Sequence, residues 1–294
     1  MKFLIVILLF SIIDFSSFMR FWIKPTFVVL VIGNLFHYFN LFNFNYIIEH
    51  YYNGGIHIQT FGLNSLGEPS VKRMLGFAGN PNTNAAVFGF FSILLFPKDS
   101  TIKRSIIWFL IAVFMLFLCQ SRTNLIAFTV FLISSFFILK SSAFFKVKFL
   151  SLILITFFIS FIVSSNAYIN ALFSKDVMQH NSLMGRIETW KHLWEMIKEK
   201  PIFGHAPYKE YFYQNNIYSE SEYVLQTWRY GFIGLFLYVL LLIIPFLSGL
   251  KNLIKPHSIT IVLTIVLMAI NSLTNNPFAE RAIMVLFAIT IGFF

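Results

Sequence analysis

Long apolar segments alternate with short polar ones along most of the chain. A membrane-spanning helix needs about 20 mostly apolar residues, and the Gly and Pro residues that interrupt helices lie mainly between the apolar segments. We therefore predict an all-α integral membrane protein with about nine transmembrane helices. The predicted spans are 3–19, 26–44, 83–97, 105–120, 123–139, 147–165, 228–248, 258–275 and 281–294.

Four short loops that fall on one side of these nine spans carry most of the positive charge. They are 20–25, 97–104, 140–148 and 249–257, and together they hold ten Lys or Arg residues against the single acidic residue Asp99. Cytoplasmic loops of membrane proteins carry such an excess of Lys and Arg. The pattern therefore predicts a multi-pass protein of the bacterial inner (cytoplasmic) membrane with these loops in the cytoplasm.

Two longer segments, 45–82 and 166–227, then face the outside. Segment 166–227 has six Lys or Arg and seven Asp or Glu, so it lacks the cytoplasmic bias. We predict one polytopic membrane domain over 1–294, with 166–227 inserted as an extracytoplasmic (periplasmic) helical loop subdomain. Apolar residues recur there at helical spacing, which predicts an amphipathic helix on the membrane or on the bundle: Leu183, Ile187, Trp190, Trp194 and Ile197.

Composition narrows the class of protein. Of the 294 residues, 57% are hydrophobic and 12% are charged, against about 25% charged in soluble domains. This excludes a soluble globular enzyme, a disordered chain and a nucleic-acid-binding domain, although the net charge is +10. Cys119 is the one cysteine, which excludes an internal disulfide and a thiolate metal site.

The first polar cluster at the predicted outer boundary contains Arg73, Gly76, Gly79 and Asn80-Pro81-Asn82. The glycines allow a tight turn, and an Asn-capped helix with Pro in its first turn is expected to follow. A helix N-terminus with an arginine nearby suits an anion. The alternative is a turn that only starts a helix.

The second cluster, Gln120 to Asn124, joins two apolar segments through a tight outer hairpin. Arg122 lies there at the membrane boundary. Its side chain either snorkels to the interface or presents its guanidinium to the oxygens of a phosphate.

The third cluster is segment 182–235, which extends from the amphipathic helix into the span at 228–248. Arg186 falls in the first turn of that helix, and Glu220, Glu222 and Arg229 surround the start of the span. A carboxylate at a helix N-terminus is ordinarily a favourable dipole contact. The functional alternative is a general base at the membrane surface.

Taken in order, these clusters resemble the Wzy/WaaL superfamily of bacterial polysaccharide polymerases and O-antigen ligases. The resemblance covers roughly residues 60–275. The matching features are Arg73-x-x-Gly76 with Gly79-Asn80-Pro81-Asn82, Ser121-Arg122, Gly185-Arg186 with Trp190, Pro201-x-x-Gly204, Glu220-x-x-Tyr223 and Gly231-x-x-Gly234-Leu235.

The resemblance implies a GT-C-type membrane glycosyltransferase acting on the outer face with an undecaprenyl-pyrophosphate-linked glycan as donor. It also implies that the reaction needs no nucleotide sugar, no metal and no other cofactor. The family arginines that hold the donor pyrophosphate correspond to Arg122 and Arg186. Ligases carry a His-Asn pair where this chain has Glu220-Ser221. That departure favours the polymerase branch.

The expected reaction is transfer of a lipid-linked glycan onto a hydroxyl of another lipid-linked repeat unit. Glu220 is the expected base, with Glu222 as the substitute, while Arg73 and Arg229 hold the second pyrophosphate or pair with the glutamates. The supporting residues are Asn80, Asn82 and Tyr223. The expected partners are undecaprenyl-pyrophosphate-linked oligosaccharides, membrane lipid and a chain-length regulator protein, with no nucleic acid. An O-antigen ligase that transfers glycan to lipid A core or protein, and a non-enzymatic flippase or transporter, are the alternatives.

Overall fold

The computed structural model describes residues 16–47, 73–97, 102–138, 145–164, 181–207, 219–253 and 255–292. Every regular element in these ranges is helical, as the apolar pattern predicts. The α-helices are α1 (Ser16–Phe39), α2 (Pro81–Leu94), α3 (Ile102–Leu118), α4 (Arg122–Ile138), α5 (Phe145–Ser164), α6 (Asn181–Glu199), α7 (Glu222–Lys251), α8 (Pro256–Thr274) and α9 (Arg281–Gly292), with short 3-10 helices at Leu41–Asn43, Gly76–Ala78 and Pro277–Ala279.

The predicted loop at 20–25 is wrong, because α1 runs through it without interruption. The apolar residues Phe21, Trp22 and Ile23 continue the helix up to Pro25. Proline removes one backbone hydrogen bond, and helices that cross membranes tolerate it where neighbouring groups compensate. Most of the predicted span 3–19 lies outside the described residues.

Three described helices are long and apolar enough to cross a membrane: Phe21–Phe39, Glu222–Lys251 and His257–Thr274. Four shorter apolar stretches accompany them, at Ile106–Leu118, Arg122–Ile138, Lys148–Ser160 and Arg281–Ile291. The protein is thus all-helical over the described ranges, with apolar helices of a membrane protein. The count of nine spans and the GT-C architecture stay predictions.

Helix α8 lies in the centre of the bundle. In its apolar stretch 67% of the residues are buried, against 22% in the apolar stretches of α1 and α7. It packs against α4, α7 and α2. Next to it, edge-to-face and stacked phenylalanines fill the space between α2, α3 and α4, among them Phe96, Phe109, Phe128 and Phe131. The buried Phe residues therefore form much of the core.

The two ends of the bundle differ in chemistry. At one end, here called the basic end, Lys148 lies 5.3 Å from the Phe136 ring, and Lys251 and Lys255 are exposed where α7 meets α8. At the other end, the polar end, Thr123 at the start of α4 is hydrogen-bonded to Thr274 at the end of α8 (2.7 Å). The helix ends that flank 97–104, 140–148 and 249–257 all lie at the basic end, as the predicted separation of these three loops requires, whereas 20–25 lies within α1.

Helix α7 is sharply bent at Gly231, whose backbone angles are φ 66° and ψ −164°. Tyr223 and Tyr238 are fifteen positions apart, which in a straight helix is about 22 Å, yet their ring centroids are 5.4 Å apart. Helix α7 therefore consists of a short segment, 222–230, folded against a second segment, 232–251. The second segment is about 30 Å long, which matches the hydrocarbon core of a bilayer.

Candidate active site at the polar end of the bundle

Four polar side chains join α2 to the α3–α4 turn, and we call them the Asn82 corner: Arg73, Asn82, Ser121 and Asn124. The Oδ1 of Asn82 accepts hydrogen bonds from Arg73 Nη2 (3.0 Å) and Ser121 Oγ (2.8 Å). The Nδ2 of Asn124 donates to the Asn82 carbonyl oxygen (3.0 Å) and to Ser121 Oγ (2.8 Å). Asn82 is thus the centre of this network.

The start of α2 is built as the sequence predicts. Asn80 is the N-cap, and its side chain accepts a hydrogen bond from the backbone N–H of Asn82 (2.8 Å). Pro81 occupies the first turn, where its missing N–H is not needed. Gly76 and Gly79 both have positive φ, at 59° and 64°. The turn before the helix therefore depends on these residue types.

Arg73 donates hydrogen bonds to two groups of the protein. In addition to Asn82 it binds the carbonyl oxygen of Cys119 through Nε (3.2 Å). This carbonyl lies just beyond the end of α3, where helix carbonyls lack intrahelical partners and attract cations. Cys119 itself is buried, and burial raises the pKa of its thiol. Arg73 therefore fastens α2 to the end of α3.

Arg122 is the first residue of α4, and its side chain is exposed. The hydrogen bond of its neighbour Thr123 to Thr274 fixes the start of α4 against the end of α8. Arg122 consequently lies beside the C-terminal end of α8. Asn275 and Asn276, which follow Thr274, are hydrogen-bonded to Glu222 and Ser219 of the third polar cluster.

Glu222, the first residue of α7, is almost completely buried, with 1% of its surface exposed. Its Oε1 accepts from Gln226 Nε2 (2.6 Å), and its Oε2 accepts from the backbone N–H of Phe278 (3.1 Å). Its own N–H donates to the Asn275 carbonyl oxygen (3.1 Å). This carboxylate joins α7 to the end of α8 and the turn after it.

Glu220 has a different environment, because its side chain is partly exposed. Its backbone has a φ of 43°, a conformation that non-glycine residues adopt rarely and that often marks functional sites. The residues on either side hold it there: Ser219 Oγ donates to Asn276 Oδ1 (3.3 Å), and Ser221 Oγ donates to the Ser272 carbonyl oxygen (3.2 Å). Of the two glutamates, solvent reaches Glu220.

Of the remaining predicted site residues, the structure describes the side chains of Tyr223 and Arg229 but not that of Arg186. Tyr223 donates through its hydroxyl to the Ala269 carbonyl oxygen (3.0 Å), so it packs against α8. Arg229 lies two turns after Glu222, is half-buried, and attracts that carboxylate electrostatically. For Arg186 the structure describes only the backbone, in the second turn of α6 and not in the first turn as expected, because the helix already begins at Asn181. Its side chain lies outside the described residues.

An apolar groove of about 430 Å³ is lined by α6 and by both segments of α7. The side chain of Trp190 lines it, and the Trp190 indole Nε1 donates to the Ser219 carbonyl oxygen, one residue before Glu220. Phe232 forms part of the far wall and is 48% exposed on the outside of the bundle. One wall of the groove thus includes an exposed residue of α7, and another wall is hydrogen-bonded to the residue before Glu220. Other lining residues are Trp194, Ile197, Val224 and Leu235.

Sequence reasoning did not identify the end of α8 as the common support of the site. Thr274, Asn275 and Asn276 contact both the start of α4 and the start of α7. Gln226, which holds Glu222, was also not identified. The available signal was the run of Asn, Ser and Thr directly after an apolar segment. In the described part of the chain, His, Cys, Asp and Glu side chains form no group of three that could hold a metal ion.

Comparison with known proteins gives one family. Residues 107–239 match the family model described as O-Antigen ligase (Wzy_C). No curated protein matches the chain. The matched range extends from α3 into the second segment of α7, so it contains Arg122, Arg186, Glu220 and Glu222. The match confirms the resemblance seen in the sequence and indicates a membrane enzyme of the polysaccharide polymerase or ligase type.

Proposed function

We propose that the protein is a polysaccharide (O-antigen, capsule or exopolysaccharide) polymerase, a proposal that the match of residues 107–239 to the O-antigen ligase family model supports. It transfers an undecaprenyl-pyrophosphate-linked glycan onto the hydroxyl of another lipid-linked repeat unit. The reaction takes place on the outer face of the bacterial inner membrane. It needs no metal and no nucleotide sugar.

The observation that carries this proposal is the groove between α6 and α7. A soluble substrate has no use for an apolar channel that begins on the lipid-facing side of α7. A lipid-linked substrate does, since its hydrocarbon chain leaves the bilayer there while its head group reaches the polar end of the bundle. The hydrogen bond from Trp190, which lines the groove, to Ser219 supports this proposal, because Ser219 directly precedes Glu220 in the chain.

The chemistry follows from the charges of the substrate. The acceptor hydroxyl oxygen attacks the anomeric carbon of the donor glycan, and the bond between that carbon and the pyrophosphate oxygen breaks. Glu220 accepts the hydroxyl proton, a contribution of about a hundredfold to ten-thousandfold. The departing pyrophosphate gains negative charge, which Arg122 and Arg186 stabilise. Removing one such donor typically lowers kcat by about 10²–10³.

The other charged residues have supporting tasks. Glu222 accepts hydrogen bonds at both carboxylate oxygens and holds the start of α7, while Arg229 balances its charge. Arg73 holds Asn82 and the end of α3. A chain-length regulator protein is the expected partner, and its loss would change the modal polymer length without stopping polymerisation.

The polysaccharide of a deletion strain tests the proposal against its rivals. Loss of a polymerase leaves single-repeat glycans on the cell surface. Loss of a ligase instead leaves long polymer on the lipid carrier. Loss of a flippase leaves single lipid-linked repeats on the cytoplasmic side. Either of the last two results would overturn the proposal.

Complementation of the deletion strain with variants then tests the residues. We expect Arg122→Ala and Arg186→Ala to restore protein in the membrane but not polymer. Arg281→Ala is the matched control, because Arg281 is also an exposed arginine at the first residue of a helix at the polar end. It should restore full-length polymer. Normal polymer from Arg122→Ala would remove that residue from the mechanism.

A further inference from the structure

Two backbone hydrogen bonds of a regular helix are missing at the bend in α7. Residues 201–206 form hydrogen bonds with the backbone groups that this leaves unpaired. In a continuous helix the N–H groups of Phe232 and Ile233 would donate to the carbonyl oxygens of Trp228 and Arg229. Here those carbonyls instead accept from His205 N–H (2.9 Å) and Ala206 N–H (2.8 Å). We call the paired segments 201–206 and 228–233 the α7 joint.

The freed N–H groups are satisfied by the same segment. Phe232 N–H donates to the Pro201 carbonyl oxygen (2.8 Å), and Ile233 N–H donates to the Ile202 carbonyl oxygen (3.5 Å). Unsatisfied backbone groups are costly near a membrane, where broken helices are tolerated only when protein covers the break. Segment 201–206 is therefore what makes the bend in α7 stable.

Two glycines make the close backbone approach possible. A Cβ atom on Gly204 would lie 2.5 Å from the backbone of Arg229, and one on Gly231 would overlap the Ile202 carbonyl oxygen. Both glycines also have positive φ, at 69° and 66°. No other residue type fits either position without moving one backbone away from the other.

The side chain of His205 adds a ring contact and a hydrogen bond to the α7 joint. Its ring stacks on the buried Trp228 with centroids 5.5 Å apart and planes at 15°. Its Nε2 bonds to the Met196 carbonyl oxygen (2.7 Å), in which the nitrogen must be the donor. His205 thus ties the last turns of α6 to the point where α7 bends.

Helix α6 consequently holds the short segment 222–230 at both of its ends. The α7 joint holds the C-terminal end, and the Trp190–Ser219 hydrogen bond holds the N-terminal end. Between them, Leu193 and Ile197 of α6 pack with Leu225 and Trp228 of α7. We infer that Gly204, His205 and Gly231 are positioning residues, which set the angle of the short segment and so the place of Glu220. This inference rests on the proposed function.

The experiment combines a distance measurement with transfer kinetics. Spin labels at Glu199→Cys on α6 and Ile244→Cys on the second segment of α7 report the distance between these two helices and its spread. Both sites are exposed, and the native Cys119 is buried. Transfer is followed with the purified full chain in detergent and a lipid-linked repeat unit.

We expect a narrow distance distribution for the otherwise unmodified protein and a broad or shifted one for Gly231→Ala. The same substitution should lower kcat about a hundredfold, the size of effect that a displacement of about 1 Å can have, with KM changed less than twofold. Gly89→Ala in α2 is the control, since an added Cβ would meet only the flexible ends of the Leu267 and Leu116 side chains, at 3.2 Å and beyond. It should resemble the unmodified protein in both measurements.

A second pair of variants covers the case in which Gly231→Ala does not enter the membrane. His205→Ala should broaden the distribution and lower kcat, and His205→Gln, whose side-chain amide keeps a donor for the Met196 carbonyl oxygen, should restore both in large part. Unchanged distances in Gly231→Ala or His205→Ala, or changed distances with an unchanged kcat, would overturn the positioning role. Absence of transfer by the unmodified protein would instead overturn the proposed function, and the distances would still test the joint.

Discussion

The Asn82 corner and the α7 joint both close the polar end of the bundle, but different parts of the chain hold them together. In the Asn82 corner, side chains make the connections, with Asn82 accepting from Arg73 and Ser121. In the α7 joint, backbone groups make them, and the two glycines contribute only by lacking a side chain. The corner therefore depends on side chains that form hydrogen bonds. The joint depends on two residues that have no Cβ atom.

The sharpest test of this difference compares two glycines with similar backbone angles. Gly204 and Gly79 have φ values of 69° and 64°, but an added Cβ at Gly79 would meet no atom within 4 Å. Each Ala variant should lose about 1–2 kcal/mol from the left-handed conformation. Gly204→Ala should lose about 1–3 kcal/mol more from the forced separation of the joint.

The measurement is the unfolding free energy of both variants in detergent. Equal losses for Gly204→Ala and Gly79→Ala would show that only the backbone angle matters at Gly204. The close contact between segments 201–206 and 228–233 would then contribute nothing to stability. That result would contradict the claim that the joint, unlike the corner, depends on a close backbone approach.

The sequence predicted the start of α2, but neither the contacts of the corner nor those of the joint, for a physical reason. The Asn80-Pro81-Asn82 motif and the glycines before it act within one turn of the chain, so local rules of helix capping apply. The bond from Ser121 to Asn82 joins residues 39 positions apart. The joint pairs residues more than twenty positions apart, and the predicted span 228–248 runs through Gly231 without a break. Gly204 and Gly231 were both visible in the motifs, but no local rule indicates that they meet.

The same limit explains the results for single site residues. The exposed position of Arg122 follows from the tight turn that the sequence predicts. The contrast between Glu220 and Glu222 does not, because the burial of Glu222 depends on Phe278, which lies 56 positions further along the chain. The continuous helix over 20–25 also departs from expectation, since the apolar side chains before Pro25 outweigh the charges of that stretch.

A second prediction concerns the centre of the corner. Asn82→Ala removes the acceptor of two hydrogen bonds and leaves the Ser121 hydroxyl and the Arg73 guanidinium each without one partner. We expect a loss of about 1–3 kcal/mol in the unfolding free energy. Asn82→Asp is the control, because a carboxylate accepts the same two hydrogen bonds, and it should stay close to the unmodified protein. A loss in Asn82→Asp as large as in Asn82→Ala would show that the amide has another role.

The smallest expected effect is at the cap of α2. Asn80→Ala removes the side-chain acceptor for the Asn82 N–H. It should cost about 0.5–2 kcal/mol, while Asn80→Ser or Asn80→Asp should cost little. Thermal unfolding in detergent measures all three. An Asn80→Ala variant as stable as the unmodified protein would mean that the neighbouring side-chain network alone fixes the start of α2.

The central claim, transfer of a lipid-linked glycan at the polar end of the bundle, is tested most directly with the purified protein and a lipid-linked repeat unit as the sole substrate. We predict products of two or more repeats together with released undecaprenyl pyrophosphate. Arg122→Ala and Glu220→Gln should abolish both products, and Arg281→Ala should retain both. Formation of polymer by Arg122→Ala and Glu220→Gln at the unmodified rate, or no transfer by the unmodified protein, would contradict the account.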